Sequence, residues 1–419
     1  MKFLKLALLL AFAAWLAAPS YAMANDESGA GTKRHPTYNL MGRDNAPSAD
    51  SPLNPNFVLD EGMTRVISEV GFWRSAYMNE SLVGMVVADI DGDGQNEVVY
   101  ASSRNIYVTR FGGGKLGQMA AYNSVASISI VSVDALDLTG DGQMEIIASA
   151  QDDKNAPVSM ILSFNGDSLT PLTTNIPWYL RVIGGPGGQF LAGQKAATDR
   201  VNVFSGKVMR MKYDGKKVSS QGAVGLPPFV NLFGFTLGRL GTGGIQMVAA
   251  IKFPTEHLFL FEGSGQDRAW ESKEEYGGTM TFLAPTNVSS DGGKNRVFLP
   301  SRLLIADIDG DGQNELIVAK NDRGGIPFMS GQRGFTSGIM QAFKYSNMSL
   351  VPFFRSRTLP GPAVDYALAD FNNDGSMDLV VAVVTEQKSG ILQEGRSVIV
   401  AYEIGAREPA KQEETRKKK

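Results

Sequence analysis

Val87-Ala88-Asp89-Ile90-Asp91-Gly92-Asp93-Gly94-Gln95-Asn96-Glu97-Val98-Val99 sets a carboxylate-rich turn between two short apolar runs. Such runs, short, rich in Val, Ile and Leu and bounded by Gly, predict two buried strands joined by a tight loop. The pattern returns in Asp137-Leu138-Thr139-Gly140-Asp141-Gly142-Gln143-Met144-Glu145-Ile146-Ile147. It returns again in Ile305-Ala306-Asp307-Ile308-Asp309-Gly310-Asp311-Gly312-Gln313-Asn314-Glu315-Leu316-Ile317 and in Ala369-Asp370-Phe371-Asn372-Asn373-Asp374-Gly375-Ser376-Met377-Asp378-Leu379-Val380. Two worn copies complete the series. Leu237 to Val248 keeps the glycines and the following apolar run without a carboxylate, and Ile183 to Ala192 is fainter.

The six repeats start near residues 89, 137, 182, 238, 307 and 370. That spacing suits one four-stranded blade per repeat, with loop insertions in the later ones, and predicts an all-β propeller. Six repeats are readable, and the long later repeats and the 57–75 region leave room for a seventh blade. Val70 to Ser75 stands as far before Asp89 as Val351 to Ser356 stands before Asp370. In the repeat that starts at Asp307 this element comes last, and the final repeat ends at Ser397 to Ile404 without it. An N-terminal strand within 65–75 is therefore expected to complete the last blade, which would remove an open sheet edge.

The loops have the chemistry of a calcium site. Calcium takes six to eight hard oxygen ligands. Side chains at loop positions 1, 3 and 5 can converge on one ion, a carbonyl at position 7 adds an oxygen, and a carboxylate at position 9 closes the sphere. The glycines let the backbone wrap the ion. The candidate ligands are Asp89, Asp91, Asp93, Gln95 and Glu97; Asp137, Thr139, Asp141, Gln143 and Glu145; Asp307, Asp309, Asp311, Gln313 and Glu315; and Asp370, Asn372, Asp374, Ser376 and Asp378. Thr139 weakens the second set. An EF-hand is excluded: position 12 is Tyr100 in the first loop and Val318 in the third, and the flanks are β-type. About four structural calcium ions are expected.

The four loops hold fourteen of the chain's 43 acidic residues, so its acidity reads as metal-site chemistry rather than as a signal for a basic partner. The 47 glycines fit turns better than helices. With no Cys, thiol catalysis, thiolate zinc and disulfides are excluded. His35 and His257 are the only histidines, too few for a His-rich metal site.

Residues 1–24 read as a secretory signal: Lys2 and Lys5, an apolar run from Leu6 to Ala18, then Ala22-Met23-Ala24 as the cleavage pattern, with Ser20-Tyr21-Ala22 as a second option. Loss of the two lysines takes the formal charge from −3 to −5. Residues 25–56 read as a flexible leader, 57–405 as the propeller and 406–419 as a charged, disordered tail. No later segment is apolar enough to span a membrane, and the chain is expected in the periplasm, secreted or at the cell surface.

These loops resemble the FG-GAP/VCBS repeats of integrin-type β-propellers and of many exported bacterial proteins. The resemblance spans most of 57–405, with Phe233-Gly234 matching the family's opening pair. Its closing Gly-Ala-Pro is absent, since Ala101-Ser102-Ser103 and Val318-Ala319-Lys320 stand there, and three loops carry Glu where the family has Asp. The resemblance implies a propeller with structural calcium and no single activity.

No Gly-x-Ser-x-Gly elbow, phosphate-binding Gly-Lys-Ser/Thr loop or His-Glu-x-x-His helix is present. The expected function is non-catalytic: a scaffold for a protein or a cell-surface glycan, with no nucleic-acid partner and monomer and oligomer equally open. The alternatives are a carbohydrate-active enzyme or lectin in the central cleft, and a structural envelope component. Phe72-Trp73-Arg74, Trp178-Tyr179-Leu180-Arg181 and Phe353-Phe354-Arg355 recur at similar repeat positions and are expected to pack between blades. The insertions 321–338 (with Phe328, Met329, Arg333 and Phe335) and 287–296 are candidate binding loops.

Overall fold

Each Asp loop joins the first two strands of a four-stranded antiparallel sheet. The computed structural model describes residues 57–59 (backbone only), 71–263, 267–288, 296–324, 333–386 and 395–404. Among them there is no helix. Two short strands, β1 (Phe57–Leu59) and β2 (Phe72–Arg74), precede the blades. Blade 1 is β3 (Leu82–Ala88), β4 (Glu97–Ser102), β5 (Asn105–Gly112) and β6 (Lys115–Asn123). Blade 2 is β7 (Ile128–Leu136), β8 (Glu145–Asp152), β9 (Ser159–Phe164) and β10 (Leu169–Ile176). The worn repeats form blade 3, β11 (Tyr179–Ile183), β12 (Phe190–Ala196), β13 (Phe204–Tyr213) and β14 (Val218–Ala223), and blade 4, β15 (Phe235–Leu240), β16 (Ile245–Lys252), β17 (His257–Glu262) and β18 (Asp267–Glu275). A two-stranded hairpin follows, β19 (Phe282–Leu283) with β20 (Val297–Phe298). Blade 5 is β21 (Leu304–Ala306), β22 (Glu315–Arg323), β23 (Phe335–Ser346) and β24 (Ser349–Ser356). Blade 6 begins with β25 (Ala363–Ala369), β26 (Asp378–Glu386) and β27 (Arg396–Glu403).

The fourth strand of blade 6 comes from the other end of the chain. β2 lies antiparallel to β27, with Phe72 opposite Tyr402, Trp73 opposite Ala401 and Arg74 opposite Val400. The expected N-terminal closure is therefore present, and the ring has six blades. The region that left room for a seventh is used differently: β1 adds a fifth strand to blade 5 beside β24, and the long insertion after blade 4 contributes only the β19–β20 hairpin.

The core is divided into six parts, one between each pair of neighbouring blades. Between blades 1 and 2, for example, Val99, Ile106 and Val108 meet Ile130, Ile146 and Leu162. Between blades 6 and 1, Leu82, Met85 and Val98 meet Val364, Phe371 and Val380. Each such side chain, fully buried, contributes about 1.5–3 kcal/mol. Two glycines allow the inner strands to approach: a Cβ on Gly84 of β3 would lie 2.8 Å from the Val133 nitrogen of β7, and one on Gly238 of β15 would lie 2.6 Å from Ile305 of β21.

Candidate functional site

The four acidic loops all connect a first to a second strand, so the common sense of the blades puts them at one end of the ring. Their conformation is held by their own carboxylates. The position-1 Asp accepts from two or three loop N–H groups: Gly92, Asp93 and Gly94 on Asp89 (2.8, 3.1 and 2.9 Å), Gly140 and Gly142 on Asp137 (2.6 and 3.0 Å), Gly310 and Gly312 on Asp307 (2.8 and 2.9 Å), and Asp374 and Gly375 on Asp370 (3.0 and 2.8 Å). The six loop glycines in the first three loops sit at positive φ, where a side chain would be strained. The position-5 residues Asp93, Asp141, Asp311 and Asp374 accept from the N–H groups of Gln95, Gln143, Gln313 and Ser376. Asn372 accepts from the Asp374 N–H at 3.1 Å, and Thr139 donates to Glu145 at 3.4 Å.

The position-9 carboxylates are buried. Glu97 and Glu315 are fully covered, Glu145 and Asp378 nearly so. Each accepts from the position-2 N–H, that of Ile90, Leu138, Ile308 or Phe371. Burial pushes all four up from the usual carboxylate range, Glu315 and Asp378 to about 7. The exposed position-5 groups move the other way: the Gln95 N–H lowers Asp93, and the Lys344 ammonium lowers Asp311.

Neighbouring loops are also stitched together. The Asn96 side chain donates to the Asp370 carbonyl at 2.7 Å, and Asn373 accepts from the Asn96 N–H at 2.6 Å, joining blades 1 and 6. The Met144 N–H donates to the Ile90 carbonyl, joining blades 1 and 2. Asn314 donates to the Arg239 carbonyl at 2.8 Å, joining blades 4 and 5.

The carboxylates of these loops offer hard oxygens of the kind a calcium-type cation takes. Asp89, Asp91 and Glu97 offer oxygens within 4.8 Å of one another, as do Asp307, Asp309 and Asp311. In blade 6, Asn372, Asp374, Asp378 and Glu403 line a small hollow beside Phe72 and Trp73. Two bases missed in the sequence also lie here. Arg110 of β5 reaches Asp91, Asp93 and Glu97, and Lys344 of β23 reaches Asp309 and Asp311. Repeat alignment could have found Arg110, which is the register partner of Glu97. Lys344 was hidden by the insertion in its blade.

The ring centre holds a second cluster. Arg302, just before β21, pairs with Asp134 of β7 at 2.8 Å and with Asp365 of β25 at 2.9 Å. Arg181 of β11 also meets Asp134 at 2.8 Å. Asp134 further accepts from the Val182 N–H and Asp365 from the Met85 N–H, so blades 1, 2, 3, 5 and 6 share one buried network. Burial works against the Arg302 charge, but Asp365 and Asp134 outweigh it and hold the guanidinium protonated. Beside this clasp opens a cavity of about 490 Å³, bordered by the worn Gly184–Gly188 turn, Phe233, Arg239 and Asn314.

The remaining sequence candidates fall as follows. Trp73 packs against Phe111 and Phe371 at 5.5 and 5.2 Å, so this aromatic element does pack between blades. Phe72–Arg74 and Phe353–Arg355 lie on fourth strands, but Tyr179–Arg181 belongs to an inner strand, so the three elements are not equivalent. His257 faces Glu271 on the outer sheet at 3.4 Å. Arg333 pairs with Glu256 and covers Phe298, and Phe335 is buried. His35, Phe328 and Met329 lie outside the described residues, as do 1–56, 289–295 and 405–419.

Six blades, four of them with acidic first turns, define a β-propeller of the Asp-loop kind. Residues 89–148, from the first loop into β8, match the family model of the FG-GAP-like repeat. No curated protein matches the chain.

Proposed function

We propose that this chain is an exported, calcium-stabilised and non-catalytic scaffold, and that it holds a partner protein at the channel mouth. The observation that carries the reading is the cavity beside the worn blades. Where four blades present acidic loops, blades 3 and 4 present glycine turns, and the space between them is open and lined by arginine. Arg239 on its rim is exposed and makes no ion pair among the described residues. An acidic side chain from a partner segment suits that rim. Glycoside hydrolysis suits it less, because the described lining contains no carboxylate and that chemistry uses a pair of them.

Calcium in the Asp loops supports such a scaffold by tying the first turns of the blades. In blade 6 the donors would be Asp370, Asn372, Asp374 and Asp378; in blade 2, Asp137, Asp141 and Glu145. Bound calcium supplies positive charge and stability, and it leaves the channel surface to the chain's own residues. Export rests on Lys2, Lys5, the Leu6–Ala18 run and the Ala22-Met23-Ala24 pattern.

Three measurements test the reading. Mass spectrometry of exported protein should find a new N-terminus after Ala22 or Ala24. Terbium, a calcium-sized probe, should luminesce when Trp73 is excited, since this indole lines the blade 6 hollow, and Trp73→Phe should remove the signal. Pull-down and glycan arrays on the chain lacking residues 1–24 should capture protein, weakened by Arg239→Glu. Turnover of a glycan would sink the non-catalytic reading.

A further inference from the structure

The two loops closest to an ideal calcium sequence each contain a positive side chain. In blade 1 the Arg110 guanidinium lies 3.2 Å from Asp91, 2.8 Å from Asp93 and 2.5 Å from Glu97. In blade 5 the Lys344 ammonium lies 2.7 Å from Asp309, 2.6 Å from Asp311 and 3.8 Å from Glu315. Each cation therefore gathers loop positions 3, 5 and 9, three of the four side chains that a calcium ion would draw together. Position 1 is left to the loop N–H groups in both blades.

The coincidence has one structural origin. Arg110 stands opposite Glu97 on the third strand of its blade. Lys344 follows Phe343, the partner of Leu316, and so stands opposite Glu315. Two side chains of different shape reach the same three carboxylates from the same register. The other acidic blades differ at this position. Blade 2 has Ser163, next to the Leu162 partner of Ile146, and blade 6 has Glu403 opposite Asp378.

A tethered cation needs no capture from solution. Calcium coordinates at 2.3–2.6 Å, and it could enter only by displacing that cation from the same oxygens. Two positive centres held in one carboxylate triad would repel each other. We propose that Arg110 and Lys344 are built-in counter-ions that occupy the metal position of blades 1 and 5, so that these two loops hold without a divalent cation. The proposal deepens the reading that the Asp loops are cation sites, and it takes blades 1 and 5 out of the set that calcium would fill.

Calcium stoichiometry tests it, by titration calorimetry and by elemental analysis of dialysed protein. The unaltered chain is expected to bind no more than two ions. Arg110→Met and Lys344→Met should each add one ion and make melting newly sensitive to chelator, whereas Arg110→Lys and Lys344→Arg should add none. If a Met variant folds only in calcium, that also supports the proposal. If it folds in neither condition, Arg110→Gln and Lys344→Gln provide the same comparison. Three or more ions on the unaltered chain would overturn the proposal, as would neutral variants that fold and gain neither an ion nor chelator sensitivity. If the unaltered chain binds none, the calcium reading of blades 2 and 6 fails, while ions gained by the variants still uphold the counter-ion role.

Discussion

Replacing Arg302 by Met should be among the most damaging single changes away from the hydrophobic core. The side chain is nearly buried and is the cation of Asp365, which is 3% exposed. Asp134, 1% exposed, would keep Arg181 and the Val182 N–H. Asp365 would keep only the N–H groups of Met85 and Tyr366. Leaving one buried carboxylate without its cation costs about 3–5 kcal/mol. The two N–H contacts that remain put the expected loss near the lower figure, about 3 kcal/mol. Urea unfolding followed by Trp fluorescence at pH 7 measures it. Adding Asp365→Asn removes the stranded charge, so the double variant should be more stable than Arg302→Met alone. A loss below about 1 kcal/mol, or a double variant no better than the single, would refute the reasoning.

Three further outcomes follow from the packing and the buried acids. Glu315 and Asp378 have folded-state values near 7 against ordinary ones of 4.5 and 3.8, so they stabilise below the ordinary values and lose that contribution as pH rises through 7. Chelated protein should therefore melt at a higher temperature at pH 5 than at pH 8 in a calorimeter. Trp73→Ala opens the seam between blades 6 and 1; the half-buried ring should cost about 2–3 kcal/mol by denaturation, less than the 3–5 of a fully buried aromatic. Gly238→Ala drives a methyl into Ile305 and should cost about 1–3 kcal/mol, partly recovered by Ile305→Val.

How far the sequence could be read depended on whether the signal was local. An Asp at every second position, interleaved with Gly, is a property of nine consecutive residues, and it located four blades directly. Spacing then carried the two worn repeats, because a blade needs its inner strand whether or not the turn beside it is acidic. The match between 70–75 and 351–356 disclosed the closing strand, since both are fourth strands and repeat the same aromatic-Arg pattern. Register was less accessible. Nothing near Glu315 announces Lys344, and Ser163 and Glu403 acquire meaning only when the third strand is laid beside the second. The clasp of Asp134, Arg181, Arg302 and Asp365 draws residues from four blades to one axis, and each is an ordinary charged residue in its own neighbourhood. Tyr179–Arg181 misled because composition resembled the fourth-strand element while the turn before it had already started a new blade.

Closure by β2 also imposes an order on assembly. This strand is synthesised before any blade, yet its partner β27 is the last of the described strands, with Phe72 waiting for Tyr402. A growing chain can complete blades 1 to 4 from neighbouring strands, but blade 6 lacks an edge strand until β2 meets β27. Until then, the surfaces of Leu82, Met85 and Val98 on one side and of Val364, Phe371 and Val380 on the other stay uncovered. A nascent or truncated chain thus presents two sticky ends of one unfinished ring, each complementary to the other end of a second copy, and so carries the means to polymerise head to tail.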